Sequence, residues 1–438
     1  MKRIVTLALA ATIIALVVTP ASVQSGKRKK RDRVRYEKYY RDPVLKEMRD
    51  EMDSLRAIRD SLTAGIEKEW EDKEKKKDEE RKIIRFEFDG IEKPQSPDEF
   101  EAPFHFQPVA QYLTGTCWSF STTSFLESEV KRFTGQEIKL SELHTVYWEY
   151  VEKARGYVRK RGNQPFEQGS ECDAVLIIWK QYGVVPAKAY TGLGAEETRH
   201  NHREMAAEMR TYLEFVKEHG HWDEEAVITH IRQILNRYLG RPPERFEYNG
   251  KEMTPKQFLN DIVRINPDDY VQLMSTLSVP FYEQGKFDVP DNWRPTDTYY
   301  NVPLDEYFRY IKLATQKGYT VCIGGDVSEP GYNGFEDAAI VPTFDLPQNY
   351  IDQDSREFRF YNNTTQDDHG VHLLAHKTVG GRDWFLIKDS ARSARHGKHE
   401  GYYFYRDDYI RLKMLTYMVH ADVVRDLMPK FEKETEAE

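Results

Sequence analysis

Two short stretches hold residue types that can break an acyl bond. The first is Gln111-Tyr-Leu-Thr-Gly115-Thr-Cys117-Trp118-Ser-Phe120. A cysteine that follows a glycine and opens a helical run sits at a helix N-terminus, where unsatisfied N–H groups and the macrodipole favour the thiolate. Gln111 lies six residues upstream. Its side-chain amide can join the Cys117 backbone N–H as an oxyanion hole. The second stretch is Asp367-Asp368-His369-Gly370-Val371-His372, followed by Trp384-Phe-Leu-Ile-Lys-Asp389-Ser390. A histidine at the start of one strand and a polar residue at the end of the next lie side by side in a hairpin. That supplies a base for the thiol and an orienter for the base. On the residues alone, quieter readings stay open. Most free cysteines are small core residues, and His369 also reads as a surface-loop histidine beside two aspartates.

Such side chains need elements to hold them. The pattern predicts a helix from Cys117 to about Phe133, ended by Gly135, and a second capped by Ser141 and running to about Val158. Asp173 to Tyr182 reads as a third, closed by Gly183, and Glu196 to Leu239 as helical until Pro242-Pro243 breaks it. Ile83 to Phe88 alternates like a strand, and Glu92 to Pro108 reads as an extended loop. Tyr319–Gly324, Leu373–Val379, Trp384–Asp389 and Gly401–Tyr405 read as strands, with a last strand or two in Leu412–Val424. Helices first and antiparallel-looking strands second make an α+β order.

Composition narrows the function. The 438 residues carry 64 Lys plus Arg against 73 Asp plus Glu, a net charge of −9 that argues against nucleic-acid binding through bulk charge. Aromatic residues, 13% of the chain, argue against disorder. Three cysteines, Cys117, Cys172 and Cys322, leave at least one unpaired and cannot build a disulfide framework. Cys172 and Cys322 read as packing residues. His200-x-His202 and His219-x-His221 lack a matching Cys or carboxylate set and read as helix-surface histidines, so neither metal nor cofactor is expected.

Residues 1–25 read as a secretory signal: Lys2 and Arg3, an apolar run from Ile4 to Val18, then Pro20, Ala21, Ser22 and Ser25. The run is about 15 residues, short of the roughly 20 needed to span a bilayer, although the basic Lys27–Arg35 stretch keeps an uncleaved anchor open. Export to a periplasm or beyond is expected, with no membrane attachment once the signal is removed. Residues 26–90 are dense in charge of both signs. Met48, Met52, Leu55, Ile58 and Leu62 recur at helical spacing. A solvated helix, a linker and a pro-segment covering an active site all fit. A globular domain is expected over 91–430, with a helical insertion at about 195–265 and an acidic tail at 431–438.

These motifs together carry a resemblance. Gln-x5-Cys-Trp-Ser-Phe resembles the active-site signature of papain-like cysteine peptidases, and the order Cys then His fits it. Leu140-Ser141-Glu142, Gln168-Gly169-Ser170-x-x-Asp173, Tyr182-Gly-Val-Val-Pro186 and Leu239-Gly240-x-Pro-Pro243-Glu244-x-Phe246 are similar to the bleomycin hydrolase and aminopeptidase C branch. So are Thr254-Pro255-x-x-Phe258, Tyr300-Asn301-x-Pro303-Leu-Asp305 and Gly324-Gly325-Asp326-Val327. The resemblance implies a papain-like two-lobe fold: a helical left lobe, an antiparallel β-barrel-like right lobe and a helical insertion. It implies peptide substrates, Cys117 as nucleophile, His369 as general base and acid, and Gln111 as oxyanion-hole donor. It places Trp118, Gly169 and Ser170 on the substrate side, with the loop of Cys172 along the cleft. It leaves a homo-oligomer open.

Two departures bear on chemistry. The family's triad Asn, in an Asn-Ser-Trp-Gly string, is here Asp389-Ser390-Ala391-Arg392. Asp389 can still accept from an imidazole, and its charge raises the histidine pKa. Ala391 cannot shield that contact as the family's Trp does. The branch's own C-terminus lies in the cleft and limits cleavage to N-terminal residues, whereas this chain ends Glu-Thr-Glu-Ala-Glu. An aminopeptidase is slightly favoured over an endopeptidase. The alternatives are a catalytically impaired peptide-binding protein, motivated by the altered Asp389 string, and a coiled-coil adaptor built on residues 27–82.

Overall fold

The computed structural model describes residues 35–194, 196–294 and 296–432. The expected signal and residues 433–438 of the acidic tail lie outside the described residues. Among those described, no helix is long and apolar enough to cross a membrane. The chain divides into two units, one ending at Lys82 and one beginning at Ile83.

The first unit is the helix α1, Pro43–Glu80. Asp42 caps it by accepting from the Val44 and Leu45 N–H groups, with Pro43 in the first turn. None of its residues is buried. Ion pairs such as Lys73–Glu69, 2.7 Å, run along it at i,i+4 spacing.

In the second unit, α2 (Cys117–Thr134), α3 (Glu142–Arg159) and α4 (Asp173–Tyr182) match the predicted helices within two residues. Gly135 closes α2 in the left-handed conformation, φ 71°. The Ser141 hydroxyl accepts from the His144 N–H to open α3. The single helical stretch expected over Glu196–Leu239 is two helices, α5 (Arg203–His219) and α6 (Glu224–Leu239). Gly220 stops the first at φ 65°, and Asp223 caps the second. The insertion continues as the hairpin β1 (Phe246–Tyr248) and β2 (Lys251–Met253) and a short α7 (Pro255–Phe258). Its apolar residues, Met205, Leu213, Ile231 and Phe258 among them, join the same core as Phe125, Val146 and Trp179.

The strands form one large sheet. They are β3 (Tyr270–Met274), β4 (Gln284–Gly285), β5 (Tyr299–Asn301), β6 (Val321–Gly325), β7 (Tyr332–Asn333) and β8 (Ala338–Ala339). They continue with β9 (His369–Val379), β10 (Arg382–Lys388), β11 (Tyr402–Arg406) and β12 (Met414–His420). The order is β4-β5-β3-β12-β6-β9-β10-β11-β8-β7. The expected α+β order holds, and the barrel-like sheet is mixed and not closed, with β3–β5 and β8–β11 parallel. The middle strands pair antiparallel, β9 and β10 as the expected hairpin and β6 with both β9 and β12. Helices α8 (Leu304–Gln316), α9 (Gln353–Tyr361) and α10 (Asp407–Lys413) complete the unit. Leu304, Tyr307, Ile311 and Ile410 pack into the core made by Ile323, Leu373, Phe385 and Tyr417.

Two expectations fail locally. Ile83–Phe88 is not a ladder strand. Its Phe86 N–H donates to the Pro330 carbonyl, and Phe88 packs with Phe100, Trp384 and Leu386. Burial, rather than strand pairing, explains its alternation. It belongs to the second unit, which begins at Ile83. Leu412–Val424 begins as the end of α10 and becomes a strand only at Met414.

Candidate active site

The site is built where α2 meets β9. Cys117 is the first residue of α2 and is half-buried. Gly115 lets the chain pass close to the facing loop: a Cβ there would lie 2.9 Å from Cβ of Gln168. The Gly115 N–H donates to Gln168 Oε1 at 3.0 Å, and the Trp118 indole N–H donates to the Gln168 carbonyl at 3.2 Å. Trp118 is 2% exposed. It therefore braces the loop from inside the core instead of lining a substrate surface with its ring. Gln168 was not singled out from sequence except as part of a motif.

His369 opens β9, opposite Gly325 of β6. Gly370 brings the strand onto the helix: a Cβ there would lie 3.0 Å from Ser121 Oγ and 3.6 Å from Trp118 Cα. The predicted hairpin is present. Gly380 and Gly381, both at positive φ, turn β9 into β10. Asp389 follows Lys388, whose cross-strand partner is His372. His369 Nε2 lies 2.7 Å from Asp389 Oδ1, and both residues are buried. The other ring nitrogen is thereby left for Cys117.

The charges support one another. Burial disfavours ionised His369, but the Asp389 charge, then Cys117, together with hydrogen bonds to both, push its pKa well above the ordinary value. Burial likewise disfavours ionised Asp389, yet the His369 charge and hydrogen bonds from His369, the Ala391 N–H and the Tyr332 hydroxyl hold it below the usual carboxylate range. The Ala391 N–H donates to Oδ1 at 2.7 Å and the Tyr332 hydroxyl to Oδ2 at 3.0 Å. Tyr332 stacks on Tyr403, ring centroids 4.5 Å apart. The shielding that Ala391 cannot give is thus provided by a tyrosine 57 residues away. No sequence motif marked it.

Gln111 is buried and tied on three sides. Its N–H donates to the Ser390 carbonyl at 2.9 Å, its Oε1 accepts from the Ser390 hydroxyl at 2.6 Å, and its Nε2 donates to the Thr114 carbonyl at 2.7 Å. One Nε2 hydrogen remains after the Thr114 bond.

The loop at Gly169 and Ser170 is held from behind. Lys153 Nζ donates to the Glu167 carbonyl at 2.8 Å and to the Gly169 carbonyl. Ser170 Oγ donates to Glu149 Oε1 at 2.7 Å, an oxygen that also takes the Trp293 indole N–H at 2.7 Å. Arg294 pairs with the same carboxylate. A Cβ on Gly169 would fall 2.0 Å from Asp291 Oδ2. Burial lowers the Lys153 pKa to about 8, against the opposing charges of Glu149 and Asp291. The Ser170 hydroxyl and the Gly169 carbonyl are therefore spent inside the protein. Beside them, the buried Glu171 and the half-buried Asp367 lie near each other. Burial first, then the neighbouring carboxylates, raise Glu171 well above its usual range. Burial raises Asp367 to about 7.

The paired histidines do not form part of this site. His202 is buried at the N-cap of α5, which corrects the expectation of a surface histidine, and burial lowers its pKa to about 3. His219 ends α5, its Nδ1 3.0 Å from the Phe215 carbonyl.

Comparison with known proteins gives this geometry relatives. Residues 93–434 match the model of the Peptidase C1-like family. The chain is 23% identical over 261 residues to aminopeptidase C of Streptococcus thermophilus, covering 50% of this chain and 58% of that one. It is 25% identical over 280 residues to bleomycin hydrolase of Rattus norvegicus, covering 53% and 61%. The chain thus spans about three fifths of the length of these curated relatives. The crystal structure of PepW from Lactobacillus rhamnosis superposes with a TM-score of 0.57 at 18% identity, over 76% of this chain and 85% of that one, a likeness of fold.

Proposed function

The chain belongs to the Peptidase C1-like family, and from that premise we propose that it hydrolyses peptide bonds through an acyl-enzyme on Cys117. The observation that carries the reading is the His369 Nε2–Asp389 Oδ1 contact at 2.7 Å, which leaves the second imidazole nitrogen to Cys117. His369 takes the thiol proton as the reaction begins, and the imidazolium so formed is balanced by the Asp389 carboxylate. The thiolate attacks the peptide carbonyl carbon. The oxyanion is met by the Cys117 N–H and the remaining Nε2 hydrogen of Gln111. His369 gives its proton to the departing amine, then takes one from the water that hydrolyses the thioester. Gly169 and Ser170 meet the substrate through backbone groups other than the Gly169 carbonyl, and Trp118 acts through the Gln168 loop.

Aminopeptidase action is the favoured form, supported by the likeness to aminopeptidase C. Hydrolysis of a free-amino peptide amide but not of its N-acetyl form would support it, and equal rates would support an endopeptidase. Export is proposed on the residues of the first segment and is tested by recovery of the processed chain from a periplasmic extract. For the mechanism, an epoxide thiol reagent followed by mass measurement should give one adduct, on Cys117. That adduct should be lost in His369→Ala. Full hydrolysis by Cys117→Ala would sink the mechanism. Peptide binding without hydrolysis by the reduced wild-type protein would point to the impaired binding protein instead.

A further inference from the structure

The mechanism uses one of three thiols. The other two, Cys172 and Cys322, are 150 residues apart in the chain, yet their sulfurs lie 3.0 Å apart. Cys172 is the N-cap of α4 and follows the Gln168–Ser170 loop. Cys322 lies in the middle of the sheet, opposite His372 of β9 and Met418 of β12. Both are buried. Thr122 Oγ1, 3.2 Å from the Cys322 sulfur, and Ser121 Oγ, at 3.7 Å, reach it from α2. The thiol pair thus sits where the substrate loop, the nucleophile's helix and the central strand converge.

We propose that Cys172 and Cys322 form a disulfide when the chain folds in an oxidising compartment, leaving Cys117 as the free thiol. The sulfurs need close by only about 1 Å to reach a bond of about 2.05 Å. The step is thiol–disulfide exchange with a low-molecular-weight disulfide. One cysteine sulfur attacks the donor, forming a mixed disulfide and releasing one donor thiol. The second cysteine sulfur attacks the first and releases the other donor thiol. The protein loses two electrons and two protons, and the reduced donor carries both away. Burial of the pair makes the folding chain the stage at which the donor gains access. The bond ties the loop that contacts Gly115 and Trp118 to β6, so the two walls beside Cys117 are joined covalently. It also removes the two thiols that compete with Cys117 for a wrong pairing.

The test is a thiol count on the full chain. The protein is refolded in a buffer of oxidised and reduced glutathione, denatured without reductant, alkylated and digested. The expected result is one alkylated cysteine, Cys117, and a linked peptide pair holding Cys172 and Cys322. The thermal midpoint is expected to fall by several degrees on reduction. Cys172→Ser is expected to lose the linked pair and that dependence on reductant. Three alkylated cysteines, glutathione retained on Cys172 without a bridge, or a bridge to Cys117 would each overturn the proposal. The wild-type count decides even if Cys172→Ser does not fold.

Discussion

Tyr332 and Asp389 meet at 3.0 Å, hydroxyl to Oδ2, while the other oxygen of the same carboxylate holds His369 at 2.7 Å. The tyrosine therefore reaches the imidazole through the carboxylate. A carboxylate that keeps a donor on each oxygen stays ionised in a buried place. Tyr332→Phe removes one donor and leaves the ring stacking in place. The expected cost is about 1.5–3 kcal/mol of stability, the range for a hydrogen bond to a charged group. The acid limb of the activity profile should move to higher pH, because Asp389 then protonates more easily. An unchanged acid limb, measured as kcat/KM against pH, would show that Tyr332 only fills space.

Asp389→Asn restores the residue type of the related peptidases and removes a charge. The Asp389 charge helps raise the His369 pKa, so the variant should lose its imidazolium at lower pH. The alkaline limb of kcat/KM is expected to fall by about 1–3 pH units, the effect of one close opposite charge. The stability linkage runs the same way. The stabilisation from raised His369 is complete below its unfolded value of about 6.5 and is lost as pH rises through the folded value. The stabilisation from depressed Asp389 is complete above about 3.9 and is lost as pH falls through its folded value. Thermal midpoints of the wild type should therefore be highest between these values, and the alkaline decline should flatten in Asp389→Asn.

Gly169→Ala tests the loop. The new methyl would fall 2.0 Å from Asp291 Oδ2, so either Asp291 or the loop must move. Overpacking of this kind costs about 1–3 kcal/mol. The expected readout is a raised KM with a smaller change in kcat, as the proposed role of the loop in orienting substrate requires. Asp291→Ala in the same chain should recover much of the loss, and additive losses in the double variant would place the clash elsewhere.

How far the sequence carries depends on range. Cys117, Gly135, Ser141 and Gly183 act on neighbours a few residues away, and their helices were legible from type and spacing. The hairpin that brings His369 to Asp389 was legible because its two strands are adjacent in the chain. Helix α8 was not read, although Leu304, Tyr307, Phe308, Ile311 and Ala314 stand at helical spacing; of these, Leu304 alone lay within a motif. Tyr332 beside Asp389, Gln168 beside Gly115 and Asp291 over Gly169 are tertiary meetings between distant segments. No local propensity encodes them. The parallel edges of the sheet escaped for the same reason, since two- and three-residue strands carry too little alternation to read.

Helix α1 remains to be accounted for. Leu45, Met48, Met52, Leu55, Leu62 and Ile66 follow the alternating three- and four-residue spacing of a coiled-coil seam, with Arg59 in the one polar place. All six are more than half exposed. Most helical stability comes from packing an apolar stripe, so a stripe left in water is unfavourable. In that frame Glu51 precedes the seam position of Met52, and Arg56 follows that of Leu55. In a parallel copy of the same helix these two places face each other with opposite charge. The expected outcome is self-association of the processed chain through α1, seen as a dimer or larger by light scattering. Met52→Glu with Leu55→Glu should give a monomer with unchanged kcat. A monomeric wild type would exclude the seam. A monomer whose activity rises when residues 27–82 are removed would instead assign α1 to covering the active site.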